Sequence, residues 1–183
     1  MRPLHAAIML RIAWLALLIY GFAAQGVAIL LFHALPFIGS AFLLWLGTRD
    51  REYHTLDALV SATFAAAIAV QLFMTWQTPG VLAFDKVFHA LGGMCLAWFA
   101  AILYKPHVDR RWVAALAIMT FALAAGAAWE VFEWVMSLLP APYAWPFNPN
   151  GLADSFGDLI ADSIGAAIIT AVELWRRRYA PSP

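Results

Sequence analysis

The chain has 183 residues, of which 64% are hydrophobic and 12% charged. That is about half the charged fraction of a soluble domain, and the apolar residues fall in long runs, so the composition defines an integral membrane protein and excludes a soluble enzyme or a nucleic-acid-binding module. The formal net charge of zero conceals a strongly uneven distribution. The single cysteine, Cys95, lies in an apolar run and cannot form an intrachain disulfide. Zinc-type Cys/His spacing, a phosphate loop and a Gly-x-Ser-x-Gly elbow are all missing.

Arg2 and Arg11 ahead of an apolar run, with small residues near Gly21–Ala24, give the N-terminus the outline of a signal peptide. Because further apolar segments follow, it is read as an uncleaved first span. The expected fold is all-α, a polytopic six-helix transmembrane bundle forming one domain over residues 1–183. Its helices are expected at about 8–24, 27–47, 56–76, 86–104, 112–139 and 153–175. Residues 8–47 would serve as one overlong helix or as two spans turning at Gln25-Gly26. The basic residues decide between these. Arg2, Arg11, Arg49, Arg51, Lys105, Arg110, Arg111 and Arg176–Arg178 share one side only if six spans are present, which makes both termini cytoplasmic. Lys86 alone lies opposite.

Within the spans, Pro36 is expected to kink the second helix. His33 reads as a structural histidine in that helix, and His5, His54 and His107 as solvated. Gln71 and Thr75 lie towards the outer end of the third helix. The fourth opens with Asp85 and His89 one turn apart on the same face. The fifth carries Glu130 and Glu133 on one face, beside Trp129, Phe132 and Trp134, which read as packing and lipid contacts. Residues 140–153 are uncharged and rich in proline and aromatics, suiting a rigid flap at the membrane interface. The sixth helix opens with Asp154, Asp158 and Asp162 in one stripe, next to small residues Gly157, Ala161 and Gly165 that permit close helix approach.

Helix direction fixes depth. Asp85 and His89 start the fourth helix at its outer end, and the three aspartates descend from the outer end of the sixth. The fifth runs the other way, so Glu133 and Glu130 lie roughly 9 and 14 Å below its outer end at 1.5 Å per residue. Six of the eleven acidic residues therefore occupy the outer half of the membrane. Asp85 and Asp154 also fit helix N-caps. Glu133, Asp158 and Asp162 are expected to have no Lys or Arg at their depth. So many carboxylates at low dielectric require protons or bound cations. Oxygen donors with one imidazole suit Mg²⁺, Mn²⁺ or Ca²⁺.

Asp85-x-x-x-His89, Glu130-x-x-Glu133-Trp134 and Asp154-x-x-x-Asp158-x-x-x-Asp162-x-x-Gly165-Ala166 resemble, in this order, the YjdF-type bacterial inner-membrane proteins. They more distantly resemble the VanZ-like group associated with glycopeptide resistance. The resemblance covers residues 84–167 and implies a bacterial inner (plasma) membrane location. It implies no particular reaction. The leading expectation is a metal-dependent membrane enzyme acting on an outer-leaflet lipid or lipid-linked envelope intermediate. Glu130, Glu133, Asp158, Asp162 and Asp154 would hold a divalent cation, with His89 as ligand or general acid/base and Asp85 orienting it. A cation- or proton-coupled transporter and a non-catalytic scaffold are the alternatives. Membrane lipids are the expected partners, and nucleic acid is not.

Overall fold

The structure, a computed structural model, describes residues 3–47, 51–73, 81–105, 107–140 and 151–179. The segment 141–150, read above as most of a flap, lies outside the described residues, as do Arg49 and Thr75. Among the described residues there are six helices and no strand: α1 (Pro3–Gln25), α2 (Val27–Leu46), α3 (Arg51–Phe73), α4 (Val81–Tyr104), α5 (Arg111–Ser137) and α6 (Leu152–Tyr179). Five stretches are long and apolar enough to cross a bilayer: Pro3–Ala24, Arg51–Leu72, Phe84–Tyr104, Arg111–Ser137 and Leu152–Arg178. In α2 the apolar stretch is shorter, Ile29–Leu43.

The first two helices form a hairpin around one residue. Gly26 has φ 84°, a left-handed conformation that glycine adopts without the penalty of a side chain. Its amide donates to the Phe22 carbonyl at 2.9 Å, and α2 leaves immediately. Gly21 keeps the hairpin tight, since a Cβ there would lie 2.8 Å from Ile29 Cδ1. Pro36 sits inside α2.

Side-chain contacts give the helix directions. Arg11 pairs with Asp57 and Trp14 stacks on Phe64, so α1 and α3 run parallel. Lys86 reaches Asp154 while Gly93 abuts the Asp162 carbonyl, so α4 and α6 run parallel. Gly126 faces Asp162, while Glu130, one turn further along α5, bonds Ser155 nearer the start of α6; those two helices are antiparallel. The α4 and α6 backbones come very close. A Cβ on Gly165 would overlap the Ala90 carbonyl, and one on Gly93 the Asp162 carbonyl. The small-residue stripe thus brings the two backbones together.

The faces turned outward are apolar. On α6, Ile160, Ile164, Ile168 and Val172 follow each other every four residues and are all exposed, while Asp154, Asp158 and Asp162 are buried on the opposite side. An exposed aliphatic stripe backed by buried acids inverts the pattern of a soluble helix and fits a lipid-facing surface. At one end of the bundle Lys105 bonds Glu52, and Arg177 bonds Glu173 and the Val108 carbonyl. This is the basic end; the acids gather towards the other.

Three apolar clusters flank the bundle interior. Trp14, Leu18, Ile29, Ile68 and Met136 join α1, α2, α3 and α5. Alanine-rich packing around Ile118 joins α4, α5 and α6. Leu43, Tyr53, Leu56, Cys95 and Ile102 join α2, α3 and α4. Between them lies a cavity of about 510 Å³.

Candidate functional site

The acidic end is organised by two basic side chains on α4. Lys86 Nζ donates to Asp158 Oδ1 at 2.6 Å, Asp154 Oδ1 at 2.7 Å and Asp85 Oδ2 at 3.2 Å. An ammonium has three N–H donors and no acceptor, so three carboxylates saturate it. Gly157 makes this reach achievable: a Cβ there would stand 3.1 Å from Lys86 Cε, so the glycine leaves a channel for the lysine stem. The expectation that Asp158 has no Lys or Arg at its depth is therefore corrected. Lys86 enters α4 early enough, and its four-carbon stem is long enough, to place its charge against α6.

One turn further along α4, His89 is buried with both ring nitrogens facing carboxylates. Nε2 lies 3.5 Å from Asp158 Oδ1, and Nδ1 lies 3.6 Å from Asp162 Oδ1 and 3.9 Å from Glu130 Oε1. Glu130 and Glu133 are each 7% exposed. Glu133 Oε1 accepts a 2.8 Å hydrogen bond from Trp129 Nε1. Ser155 bonds the Glu130 carboxylate, yet Glu130 Oε1 is buried without a hydrogen-bond partner among the described residues. Asp162 Oδ2 fits where Gly126 has no side chain; a Cβ there would lie 2.5 Å from it. All seven residues singled out from the sequence (Asp85, His89, Glu130, Glu133, Asp154, Asp158 and Asp162) thus meet around Lys86 and His89.

Three local readings are corrected. Asp85 is not a helix N-cap, because α4 begins four residues earlier at Val81. Asp154 lies in the first turn of α6, behind Gly151, and its carboxylate goes to Lys86. His33 is 1% exposed, and its Nε2 meets Gln71 Oε1 at 3.0 Å. Trp129, taken as packing, is also the hydrogen-bond donor to Glu133. His54 lies within α3 and packs against Gly47 rather than standing in solvent.

Donor atoms converge in two sets. Asp85, His89 and Asp158 offer ligand atoms within 4.8 Å of one another, as do His89, Glu130 and Glu133. The first set already holds the Lys86 ammonium. The second contains the unpartnered Glu130 oxygen and combines two carboxylates with one imidazole, a donor set suited to Mn²⁺ or Mg²⁺.

A second charged centre has no counterpart in the sequence reading. Arg11 of α1 pairs with Asp57 of α3, which is 0% exposed. The same guanidinium donates to Ser40 Oγ at 3.1 Å and to the Phe37 carbonyl at 3.2 Å, just beyond Pro36. Arg11 is thus an interior ion-pair partner as well as one of the basic residues expected to mark the cytoplasmic side, and Asp57 opens an apolar run. The available signal was His54-x-x-Asp57-x-x-x-Ser61, polar residues at helical spacing inside that run.

A buried acidic and imidazole centre inside a helical bundle with a lipid-facing exterior defines a multi-pass membrane protein carrying an internal polar site. More particularly, the chain belongs to the family described as predicted membrane protein (DUF2238), which it matches over residues 5–179. No curated protein and no solved structure matches it.

Proposed function

We propose that this protein is a metal-dependent membrane enzyme acting on a lipid or lipid-linked amphiphile at the acidic end of the bundle. The observation carrying this reading is Glu130 Oε1, buried and unpartnered, facing His89 beside Glu133. Leaving a buried carboxylate oxygen without a donor costs on the order of 1–3 kcal/mol. A cation held by His89, Glu130 and Glu133, with Asp162 adjacent, would remove that cost. When bound, it would polarise a phosphoryl oxygen or activate a water.

The chain's own residues divide the remaining work. Asp158 faces His89 Nε2 and is itself held by Lys86, so the lysine–aspartate pair orients the imidazole and directs Nδ1 towards Glu130 and Asp162. Asp154 fixes Lys86. Asp85 lines the cavity next to His89 and would receive a substrate proton. The cavity adjoins this centre and supplies apolar walls for an amphiphile.

In this reading α2 is a sixth crossing. Because α1 and α3 are parallel, the segment between them must return the chain, and a Pro-containing helix can do so where neighbours satisfy its backbone. With the Lys and Arg residues gathered at one end, the positive-inside rule favours that end, with both termini, facing the cytoplasm from a bacterial inner membrane. The family match is consistent with the YjdF-type resemblance.

The experiment is titration of metal-stripped, purified protein with Mn²⁺ and Mg²⁺. One divalent cation per chain is expected, lost in Glu130→Ala and Glu133→Ala. Undiminished binding in the double variant would refute the assignment. A cation- or proton-coupled transporter is favoured by one observation, the buried Asp57 towards the opposite end. It predicts ion flux in proteoliposomes that Asp162→Asn and Asp57→Asn both abolish.

A further inference from the structure

The cavity has a length, a polarity and an opening. Along α4 it is lined from Asp85 to Phe99, and along α3 from Leu56 to Gln71. These spans correspond to roughly 21 and 22 Å at 1.5 Å per residue. Its ionisable lining gathers at the acidic end, where Asp85, His89, Glu133, Asp162 and the His33–Gln71 pair reach it, while Ser40 and Thr63 are its polar residues further along. The far end is lined by Leu43, Leu56 and Phe99. An apolar shaft of that length with ionisable groups at one mouth matches a molecule with one long tail and one polar head.

The opening lies between α2 and α4. Both helices line the cavity, and among the described residues their backbones do not come close; Leu43 of α2 and Cys95 of α4 share an apolar cluster with α3 beyond the far end of this gap. On α2, Gly39 and Phe42 line the cavity and are exposed. A Cβ added at Gly39 would meet nothing within 4 Å. Ile38, next to this gap, is 69% exposed. Gly39 lies seven residues inside the end of α2, roughly 10 Å along the helix axis, so the gap opens to hydrocarbon rather than to water.

We infer that the cavity is a lateral binding slot for the acyl tail of a membrane phospholipid, admitted between α2 and α4 past Gly39 and Phe42. The head group then lies at the acidic end, beside His89. The placement of the head group rests on the proposed function, and the opening of the gap to hydrocarbon rests on α2 crossing the bilayer as proposed there. The tail subsite stands on the shape and exposure of the slot. Phospholipid is the assigned occupant because it is the apolar molecule that the bilayer presents at the opening.

The test uses full-length protein in nanodiscs of phosphatidylethanolamine and phosphatidylglycerol, doped with phosphatidylethanolamine carrying a diazirine near its tail end. After illumination, adducts are mapped by peptide mass spectrometry. Adducts are expected on Phe64, Phe88 and Leu96 within the cavity, as well as on lipid-facing Ile164. Gly39→Trp should lower the cavity adducts several-fold and leave those on Ile164 unchanged, and Phe42→Ala, which widens the gap, should raise the cavity adducts. Labelling confined to outward-facing residues, or cavity labelling unchanged in both variants, would overturn the slot. Stronger cavity labelling by a diazirine-tailed polyprenyl phosphate than by the phospholipid would overturn the choice of occupant. Cation titration of the same preparations separates the two proposals: retained binding with no cavity labelling removes the tail subsite and leaves the proposed function standing.

Discussion

Replacing Lys86 by methionine removes the ammonium that bridges Asp154 and Asp158, leaving Asp158 only His89 Nε2 at 3.5 Å. Both carboxylates are nearly inaccessible, with side-chain exposures of 6% and 2%, while the lysine side chain is 31% exposed. Breaking a buried pair by deleting one partner costs about 3–5 kcal/mol, because the remaining charge is left uncompensated. Partial exposure of Lys86 places the expected loss at the lower end, about 3 kcal/mol. For a chain of this size that corresponds to roughly 6–12 °C of unfolding temperature. Thermal unfolding in detergent, followed by tryptophan fluorescence, measures it. Asp158→Asn alone should cost less, since Lys86 keeps Asp154 and Asp85. The triple variant Lys86→Met, Asp154→Asn, Asp158→Asn should recover most of the stability, giving a non-additive cycle. Millimolar Mg²⁺ should also rescue Lys86→Met, as the two freed carboxylates offer hard oxygen ligands. Wild-type stability of Lys86→Met without added cation would refute the view that this ammonium compensates the α6 aspartates.

Arg11→Leu should destabilise by about 3–5 kcal/mol through the stranded Asp57 carboxylate, and Arg11→Leu combined with Asp57→Leu should recover most of the loss. Chemical unfolding in mixed micelles compares the three proteins. Gly93→Ala and Gly165→Ala should each cost several degrees of unfolding temperature, because the added methyl meets backbone carbonyls that cannot turn aside. Gly92→Ala is the control: its Cβ meets nothing nearer than Asp162 Oδ1 at 3.9 Å, and it should unfold like the wild type. Trp129→Phe deletes the donor to buried Glu133 and should cost about 1–3 kcal/mol. It should also shift Mn²⁺ affinity in the titration described above, which a purely packing role for Trp129 would leave unchanged.

The shared depth of the acids was legible because helix direction and a constant rise per residue fix depth from sequence position alone. Which acid touches which base was not, since that depends on how each helix is rotated about its axis. Lys86 shows the difference. Its neighbour Asp85 is adjacent in sequence, but its shortest contact is to Asp158, 72 residues away. It depends on a glycine on another helix. Arg11 was hidden for a related reason. Near a helix end an arginine satisfies the charge rule for topology equally well whether it snorkels to water or turns inward to a carboxylate 46 residues on. Helix starts were blurred where polar residues extend an apolar run. Thus α3 begins at Arg51, and the added turn is tied down by the Lys105–Glu52 pair.

The two charged centres explain how an interior cavity survives in a protein this small. A void lined by side chains that could collapse would tend to close, since its walls forgo contacts on one side. Here the pairs of helices around it are fixed at their edges. Arg11 and Asp57 join α1 to α3, and Ser40 and the Phe37 carbonyl draw α2 in beside them. Lys86, His89 and the glycine contacts join α4 to α6, while Asp162 and Ser155 bring α5 against α6. Directional charge pairs fix spacing without supplying bulk, unlike the apolar clusters that flank the cavity. Removing either centre should therefore alter the cavity before it unfolds the bundle. The tail-labelling pattern should change in Arg11→Leu even at temperatures where that variant remains folded.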